Sequence, residues 1–465
     1  MSCIEQHPGA GTFRDPQGRL FHDGERILRE IYPDHVETAI TWIRSPLAQR
    51  WMQQRRLIPS TVLASAPGEP ALLEHERVFF PSYPWEWTPG QWKHAASLTL
   101  DLCEEALDHE YILKDATPLN ILFSGPRAIF VDVLSFERRD LVSPIWIAYA
   151  QFVRTFLLPL AAYIHLGWPL AAIMHRRDGY ESADLAPWLP AVRRWQSPLR
   201  TLVTLPLLLQ KSLFEKSARV RSYRPEVSPE FSLFALRRRL RSTRRLLDAL
   251  VPPPHSSRWS GYTRTACHYD LEDHAAKQEF VHQSLQRFQP SNVLDVGANT
   301  GTYSRIAAKN GADVVAWDTD VQAADLNGQT ASRDGLSILS MVADFARPTP
   351  AVGWQNLENS SLLSRADHRF DCVMMLGVLH HLLVADQIPM QSIVDQLAQI
   401  STRWAILEWI PMEDTQFAEL CRGREGLYRH LTEEYFLENI STRFAVRNRS
   451  CLPNGRTLWL VEKTQ

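Results

Sequence analysis

The sequence predicts an α/β protein whose C-terminal part, residues 258–465, is a doubly wound parallel sheet with an antiparallel last strand. Two observations support this prediction. Short apolar runs alternate with helical patterns from residue 273 onward, which is typical of a parallel sheet covered by helices on both faces. The turn residues Pro453-Asn454-Gly455 lie between two strand-like runs and predict a closing hairpin, which adds one antiparallel strand. An α+β domain is predicted to precede this sheet.

The chain has 465 residues, enough for two or three domains. The strongest break is Val251-Pro252-Pro253-Pro254, because consecutive prolines end regular secondary structure. We therefore predict an N-terminal domain over residues 1–215, a basic helical linker over 216–257 and a C-terminal domain over 258–465.

Composition excludes several classes of protein. The formal net charge is −2, so no overall positive field for nucleic acid is expected. The six cysteines are scattered without a C-x-x-C pair, which indicates a reducing compartment and predicts a cytoplasmic protein without a zinc site. The apolar stretch Ile145–Met174 is interrupted by polar residues and by Gly167-Trp168-Pro169, which favours a buried helical hairpin over a membrane span.

The N-terminal part contains both strand and helix patterns. Alternating residues with turn signals predict one or two hairpins, and apolar residues at helical spacing predict helices. The predicted elements are hairpins in Phe13–Ile31, a helix at Val36–Arg56, a strand at Val78–Phe80, a helix at Gln91–His109 and mostly helical structure in Ile145–Phe214.

Two acids and an amide follow the long helix at close spacing. Asp115 and Asn120 flank a short loop, and Asp132 follows the next strand-like run. Such groups are the ligands that a Mg²⁺–triphosphate site requires. The segment resembles the catalytic segment of protein-kinase-like domains, which implies Asp115 as base, Asn120 and Asp132 as Mg²⁺ ligands and ATP as cofactor.

The resemblance has departures. Leu113 stands where that family has histidine, and Val133-Leu134 replaces Phe-Gly. No glycine-rich loop precedes the segment, and the nearest basic residue on an early strand is Arg29. Two alternatives stay open, an ATP-using phosphotransferase and a kinase-like scaffold without activity.

Arginines and leucines alternate at helical spacing in the predicted linker. The run Arg237–Arg245 predicts a basic amphipathic helix. Such a helix either packs through its leucines with a solvated charged face or docks onto an anionic partner.

The C-terminal elements follow in a regular order. A helix precedes the first strand, and strands and helices then alternate until the closing hairpin. The predicted helices are Asp273–Phe288, Tyr303–Lys309, Val321–Ala331, Ile388–Ile400 and Glu433–Asn439, and the predicted strands begin at Asn292, Asp313, Ser337, Arg369, Trp404, Phe444 and Arg456.

The loop after the first of these strands carries the strongest ligand signal. An acid, Asp295, comes before a loop with Gly297 and Gly301, whose backbone can approach a ligand closely. A carboxylate there would repel a phosphate but would attract an ammonium or sulfonium group. Asp318 ends the next strand at the distance where a carboxylate can bind ribose hydroxyls.

This loop resembles motif I of class I S-adenosylmethionine (SAM) dependent methyltransferases. The resemblance implies SAM as cofactor and a Rossmann-like sheet. The residues implied to bind it are Asp295, Gly297, Ala298, Asn299, Thr300, Gly301, Asp318, Asp344, Phe345 and Leu376.

Three further residues are candidates for work on the methyl acceptor. His380 or His381 could accept a proton from it, because imidazole titrates near neutral pH. Glu408, at the end of the fifth strand, is expected to point at the same crevice. The alternative for either histidine is packing on the cofactor or capping of a helix.

Most of the chain is similar to nodulation-protein NoeA-related methyltransferases. The resemblance rests on residues 295–301, on Leu407–Pro411 and on Asp414–Phe417, with an upstream segment at Phe80–Phe136. It implies a SAM-dependent methyltransferase but settles no acceptor. We expect no metal in that domain and favour an O or N nucleophile of a small molecule or glycan as acceptor. The rival hypotheses are a kinase-like phosphotransferase with a regulatory SAM domain, and a binding module in which neither site turns over.

Overall fold

The computed structural model describes residues 14–66, 68–214, 227–253 and 271–464. The chain divides into two compact units, one of residues 1–123, 128–254 and 353–359 and the other of residues 124–127, 255–352 and 360–465. Parts of the predicted linker, residues 216–226 and 254–257, lie outside the described residues.

The N-terminal unit begins with a four-stranded antiparallel sheet in the order β1-β2-β4-β3. Its strands are β1 (Gly18–Asp23), β2 (Arg26–Ile31), β3 (Ser60–Ala64) and β4 (Ala71–His75). The predicted first hairpin is confirmed as β1 and β2. The predicted strand at Val78–Phe80 is wrong, because the strand lies at Ala71–His75, where Ala71, Leu73 and His75 are buried. Phe80 is buried but belongs to no strand.

Helices surround this sheet and the two short two-stranded sheets that follow it. The short strands are β5 (Tyr111–Leu113), β6 (Ile121–Ser124), β7 (Arg127–Phe130) and β8 (Phe136–Arg138), and β5 pairs with β8 while β6 pairs with β7. The helices are α1 (Pro33–Ile43), α2 (Pro46–Gln53), α3 (Pro89–Leu107), α4 (Tyr149–Phe152), α5 (Leu158–Leu166), α6 (Ser182–Leu185), α7 (Ala191–Arg194), α8 (Leu205–Phe214) and α9 (Pro229–Ala249).

The single helix predicted over Val36–Arg56 is divided into α1 and α2. Pro46 lacks a backbone N–H and disfavours helical geometry at Ser45. Ser45 has extended backbone and caps α2, because its hydroxyl accepts a hydrogen bond from the Ala48 amide. Proline therefore interrupts a helix that apolar spacing alone would continue.

The apolar stretch Ile145–Met174 forms helices with a break where the sequence predicts it. Helix α5 ends at Gly167, which has the left-handed backbone typical of a helix C-terminus, and a 3-10 helix follows over Leu170–His175. None of the helices within the described parts of the chain has both the length and the apolar character that crossing a bilayer needs.

The basic helix predicted around Arg237–Arg245 is confirmed as part of α9. Its leucines Leu236, Leu240 and Leu247 are buried. Arg237 and Arg244 form ion pairs with Asp108 and Asp101, which follow or belong to α3. Part of the positive charge of α9 is therefore balanced within its own unit, which favours the packing interpretation over an anionic partner.

The C-terminal unit is built on a seven-stranded sheet in the order β11-β10-β9-β12-β13-β15-β14. Its strands are β9 (Asn292–Val296), β10 (Asp313–Asp318), β11 (Ile338–Val342), β12 (Phe370–Met375), β13 (Ser401–Trp409), β14 (Phe444–Cys451) and β15 (Thr457–Lys463). The first five strands are parallel, and β15 runs antiparallel to both β13 and β14. The predicted doubly wound sheet with an antiparallel last strand is confirmed.

Helices pack on this sheet. They are α10 (Leu271–Phe288), α11 (Thr302–Lys309), α12 (Val321–Asp334), α13 (Leu362–Ala366), α14 (Met390–Ile400), α15 (Thr415–Cys421), α16 (Glu425–Tyr428) and α17 (Glu433–Ile440). The strand order reverses between β9 and β12, whose neighbours on the other side are β10 and β13. Ligands of open parallel sheets bind at the carboxyl ends of the strands at such a reversal.

Candidate active site

The loop between β9 and α11 requires glycine at two positions. Gly297 and Gly301 have φ values of +71° and +80°, in the left-handed region that side chains disfavour. A Cβ atom at Gly297 would collide with the Val378 side chain, and one at Gly301 would collide with the Asn327 side chain. The Gly297 and Ala298 amides donate to the Trp317 carbonyl oxygen at 2.8 and 3.1 Å, which holds the loop against β10.

Asp318 fixes the same loop from the end of β10. Its Oδ2 accepts a hydrogen bond from the Asn299 amide at 2.7 Å, and its Oδ1 accepts one from the Asp320 amide at 2.8 Å. Burial raises the pKa of the Asp318 carboxyl, while these backbone hydrogen bonds oppose the shift. The carboxylate is thus oriented by the backbone beside the loop.

A cavity of about 370 Å³ opens at the carboxyl ends of β9, β10, β11 and β12. Ten of the predicted site residues line it, namely Gly297, Ala298, Asn299, Thr300, Asp318, Asp344, Phe345, Leu376, His380 and His381. The sequence places these residues up to 84 positions apart, and the sheet brings them to one crevice. Asp295, Gly301 and Glu408 are not among the lining residues.

Asp295 lies behind the cavity wall. Only 1% of it is exposed, and its Oδ2 accepts a hydrogen bond from the Ser304 hydroxyl at 2.6 Å. Burial raises the pKa of its carboxyl to about 7, and the charge of Asp318 acts in the same direction. Asp295, which the sequence predicted to bind the cofactor, therefore lies beneath the loop and does not line the cavity.

We expect Asp295 to make the free energy of unfolding depend on pH. The unfolded carboxyl ionises near pH 3.8 and the folded one near pH 7, so the folded state binds the extra proton between these values. Stability of the C-terminal unit should therefore fall as pH rises from about 4 to about 7. Urea unfolding at several pH values should show a weaker fall for Asp295→Asn, whereas parallel curves for variant and wild type would contradict the assignment.

Glu408 does not point into the crevice as the sequence predicted. Its side chain is fully buried, and its Oε2 accepts a hydrogen bond from Lys277 Nζ at 2.6 Å. Arg456 Nη1 lies 3.5 Å from its other oxygen. Glu408 therefore sits behind two cationic residues that do line the cavity, because a carboxylate without exposed surface needs paired cations.

His380 and His381 lie side by side, with ring centroids 4.1 Å apart. His380 is buried, and neither of its ring nitrogens has a hydrogen-bond partner within the described chain. Burial lowers the pKa of His380 well below its ordinary value, and His381, Arg456 and Lys277 lower it further. The ring lines the cavity with both nitrogens buried, and its lowered pKa keeps it neutral at physiological pH.

Eight polar residues of the wall were not predicted, and four of them have basic or phenolic side chains. Lys277 and His274 come from α10, Tyr303 from the first turn of α11, and Arg456 from the residue before β15. Lys277 Nζ lies 4.9 Å from the centroid of the Tyr303 ring. The clue in the sequence is a lysine on the helix before the first strand, but helical spacing alone does not distinguish it from a solvated residue.

The three candidate residues of the N-terminal unit are joined by hydrogen bonds. Asn120 Nδ2 donates to the Ser135 hydroxyl at 3.2 Å, and Ser135 in turn donates to Asp132. Asn120 Nδ2 also lies 3.4 Å from the Asp115 carbonyl oxygen. The spacing prediction thus brings Asp115, Asn120 and Asp132 to one place, at the ends of β5, β6 and β7.

The Asp132 carboxylate is already paired in this cluster. Arg29 Nη1 lies 3.0 Å from Asp132 Oδ1 and 3.1 Å from Asp15 Oδ2, and the Arg29 side chain is only 6% exposed. Asp115 accepts a hydrogen bond from the Gln151 side chain. No group of three or more His, Cys, Asp or Glu side chains arranged to hold a metal ion occurs in the residues that the structure covers.

Comparison with known proteins agrees with the sheet and its crevice. Residues 269–402 match the family described as "Methyltransferase domain". The match supports a SAM-dependent methyltransferase domain in this segment. It includes β9 through β12 with their loops, and so contains most of the cavity wall.

Similarity extends over most of the chain in one relative. The nodulation protein NoeA of Rhizobium meliloti (strain 1021) is 29% identical over 478 residues, covering 98% of this chain and 96% of that protein. The solved structure of magnesium protoporphyrin IX methyltransferase from Synechocystis PCC 6803 with bound SAH is 18% identical, with a TM-score of 0.30, over 41% of this chain and 84% of that one. The bifunctional kinase-methyltransferase WbdD is also 18% identical, with a TM-score of 0.31, over 43% and 41%.

Proposed function

We propose that the methyltransferase domain transfers a methyl group from SAM to an oxygen or nitrogen nucleophile of a small molecule or glycan, bound beside His380. The observation that carries this proposal is a single cavity lined both by the glycine loop with Asp318 and by a buried, neutral histidine without a hydrogen-bond partner in the described chain. A polar acceptor group would supply the missing partner.

The residues on the wall fit SAM. Asp318 would hold the ribose hydroxyls, Asp344 and Phe345 the adenine, and Gly297 with Asn299 the methionine portion. Glycine is required at position 297 of this wall, because a Cβ there would meet the Val378 side chain. When bound, SAM supplies an electrophilic methyl group on a positively charged sulfur.

His380 is proposed to orient the acceptor by accepting a hydrogen bond from it. A neutral imidazole nitrogen accepts a hydrogen bond from a hydroxyl or amine, which directs the lone pair of that group toward the methyl carbon. The low pKa of His380 keeps the ring available as an acceptor across neutral pH. The proton lost by the acceptor passes to solvent through the cavity, because burial and the nearby cations disfavour a charged His380 ring.

The test uses a cell extract incubated with methyl-labelled SAM and the purified full-length protein. We expect labelled product with the wild type and a loss of about 100-fold in turnover with His380→Ala, with SAM affinity unchanged. His368→Ala, at an exposed histidine of the same unit, is the control. Equal turnover of His380→Ala and the control would contradict the role of His380, and a wild type without labelled product would contradict methyl transfer.

For the N-terminal unit we propose a kinase-like scaffold rather than a phosphotransferase. The pairing of Asp132 with Arg29 and Ser135 supports this, since both carboxylate oxygens already accept hydrogen bonds where a metal ligand is needed.

We expect calorimetric titration of the full chain with ATP and Mg²⁺ to give no binding heat. Arg29→Ala, which releases Asp132, is the variant in which weak binding could emerge. Binding to the wild type that is lost in Asp132→Asn would instead favour the active phosphotransferase.

A further inference from the structure

The cavity wall has acids at one end and cations at the other. Asp318 and Asp344 lie where the ribose and adenine of SAM are proposed to bind, and Asp386 also lines the cavity. His274, Lys277 and Arg456 line the part formed by α10 and by the turn before β15. Helix α10 precedes β9, and the turn lies before β15. The cations therefore come from segments other than those that carry the cofactor loop.

The cations at this end are held by acids that lie behind the wall. Lys277 and Glu408 pair at 2.6 Å with side chains 5% and 0% exposed. Arg456 Nε lies 2.9 Å from Asp414 Oδ2, and Asp414 also caps α15 through the Gln416 amide. Neither Glu408 nor Asp414 lines the cavity, so a ligand meets the cationic groups first.

Burying these charged groups costs free energy that a cluster of apolar side chains would not cost. Removing a carboxylate and two cations from water is expensive, and apolar residues of similar volume would often be as stable. Burial lowers the pKa of both His274 and His380, and Lys277 lowers both further. Asp273 and Glu408 oppose the shift at His274, whereas His381 and Arg456 add to it at His380.

We propose that the methyl acceptor carries an anionic group, a carboxylate or a phosphate, and that Lys277 and Arg456 recognise it. Glu408 is a positioning residue in this assignment, because it fixes both cations from behind without touching the acceptor. The inference rests on the proposed methyl transfer and adds the chemical class of the acceptor to it.

SAM alone does not account for two cations. Its methionine portion carries one carboxylate beside a positive ammonium and a positive sulfonium, so an additional cation nearby would repel it. Guanidinium groups bind carboxylate and phosphate through paired hydrogen bonds, and lysine adds a point charge. One cation is enough for the carboxylate of SAM. The second cation would therefore bind an anionic group of the acceptor.

The first experiment measures thermal unfolding of the SAH-saturated full chain with sodium phosphate, sodium acetate or sodium chloride at one ionic strength. We expect phosphate or acetate, at ten times the dissociation constant of that anion, to raise the midpoint of thermal unfolding by about 2–4 °C relative to chloride. Arg456→Gln should abolish the difference, and Arg456→Lys should retain part of it. Arg447→Gln, at an exposed arginine paired with Glu462, is the matched control and should keep all of it.

The second experiment needs no variant. Product labelled by the wild type in cell extract is applied to an anion exchanger, before and after treatment with phosphatase. Retention that phosphatase removes identifies a phosphate monoester, and retention that survives identifies a carboxylate or a phosphodiester, so either result supports an anionic acceptor. Labelled product that passes the exchanger unretained would overturn the proposal.

Two other outcomes separate this inference from the proposed function. If Arg456→Gln and Lys277→Met each weaken SAM binding as strongly as Asp318→Ala, the cationic end serves the cofactor and the inference is overturned. If the wild type binds no SAM in the same titration, methyl transfer itself is wrong. A normal SAM affinity with a raised KM for the labelled acceptor in Arg456→Gln supports the inference.

Discussion

Replacing Glu408 with leucine is expected to lower the free energy of unfolding of the C-terminal unit by about 3–5 kcal/mol. The reason is the charge left behind rather than the contact removed. Lys277 has a side chain only 5% exposed and would lose the carboxylate 2.6 Å from its ammonium. Arg456, only 4% exposed, would lose its second acidic neighbour and keep Asp414.

The measurement is hydrogen exchange with mass spectrometry across a urea series, read on peptides from β12 and β13. These central strands report on unfolding of their own unit in a chain with two units. The matched control is Glu462→Gln, whose carboxylate pairs with Arg403 and Arg447 at the surface and should contribute less than about 1 kcal/mol. A Glu408→Leu effect no larger than that of the control would show that the buried pair adds nothing to stability.

Glu408 also shows why the sequence predicted a position but not a role. The end of a parallel strand at the crevice is correctly inferred from the run Ala405–Trp409, which belongs to β13. Its partner Lys277 lies 131 residues earlier in the chain, on a helix whose pattern indicates only amphipathic packing. Pairing over such a separation is decided by tertiary structure, which no local pattern contains.

The cofactor loop was predicted in much greater detail, for a physical reason. Strand β10 has the predicted bounds, Asp313–Asp318, because a β-branched run ends at an acid and a turn. Gly297 and Gly301 adopt the left-handed backbone that only a few residue types tolerate, so their chemistry is visible in the sequence itself. A backbone conformation that only certain residues tolerate restricts the residue type at that position. Such a local restriction can be recognised in a single sequence.

The N-terminal unit shows the opposite case. The spacing of Asp115, Asn120 and Asp132 correctly predicts that the three residues lie together. It does not predict that the Asp132 carboxylate is already paired. Arg29 reaches that carboxylate from β2, 103 residues away, and changes a candidate metal ligand into a paired one. The predicted strand at Val78–Phe80 failed for a related reason, since burial of Phe80 does not require sheet pairing.

The second large effect is expected for Asp318→Ala, which should weaken SAM binding by about 1.5–3 kcal/mol, or roughly tenfold to a hundredfold in Kd. Two losses combine in this variant. The ribose hydroxyls lose an ionised acceptor, and the Asn299 amide loses the carboxylate oxygen 2.7 Å away that holds the loop. Asn299 has a φ of +51°, so the loop backbone depends on such anchors to keep its shape.

Calorimetric titration with SAM separates these two losses. Asp318→Asn keeps one oxygen that can accept from a backbone amide but turns an NH₂ group toward the other amide, so an intermediate Kd is expected. Asp334→Ala, at an exposed acid paired with Arg333 near the end of α12, is the control and should bind like the wild type. An unchanged Kd in Asp318→Ala would remove the carboxylate from the cofactor site. An Asn variant as weak as the Ala variant would show that the charge, rather than the anchoring of Asn299, determines affinity.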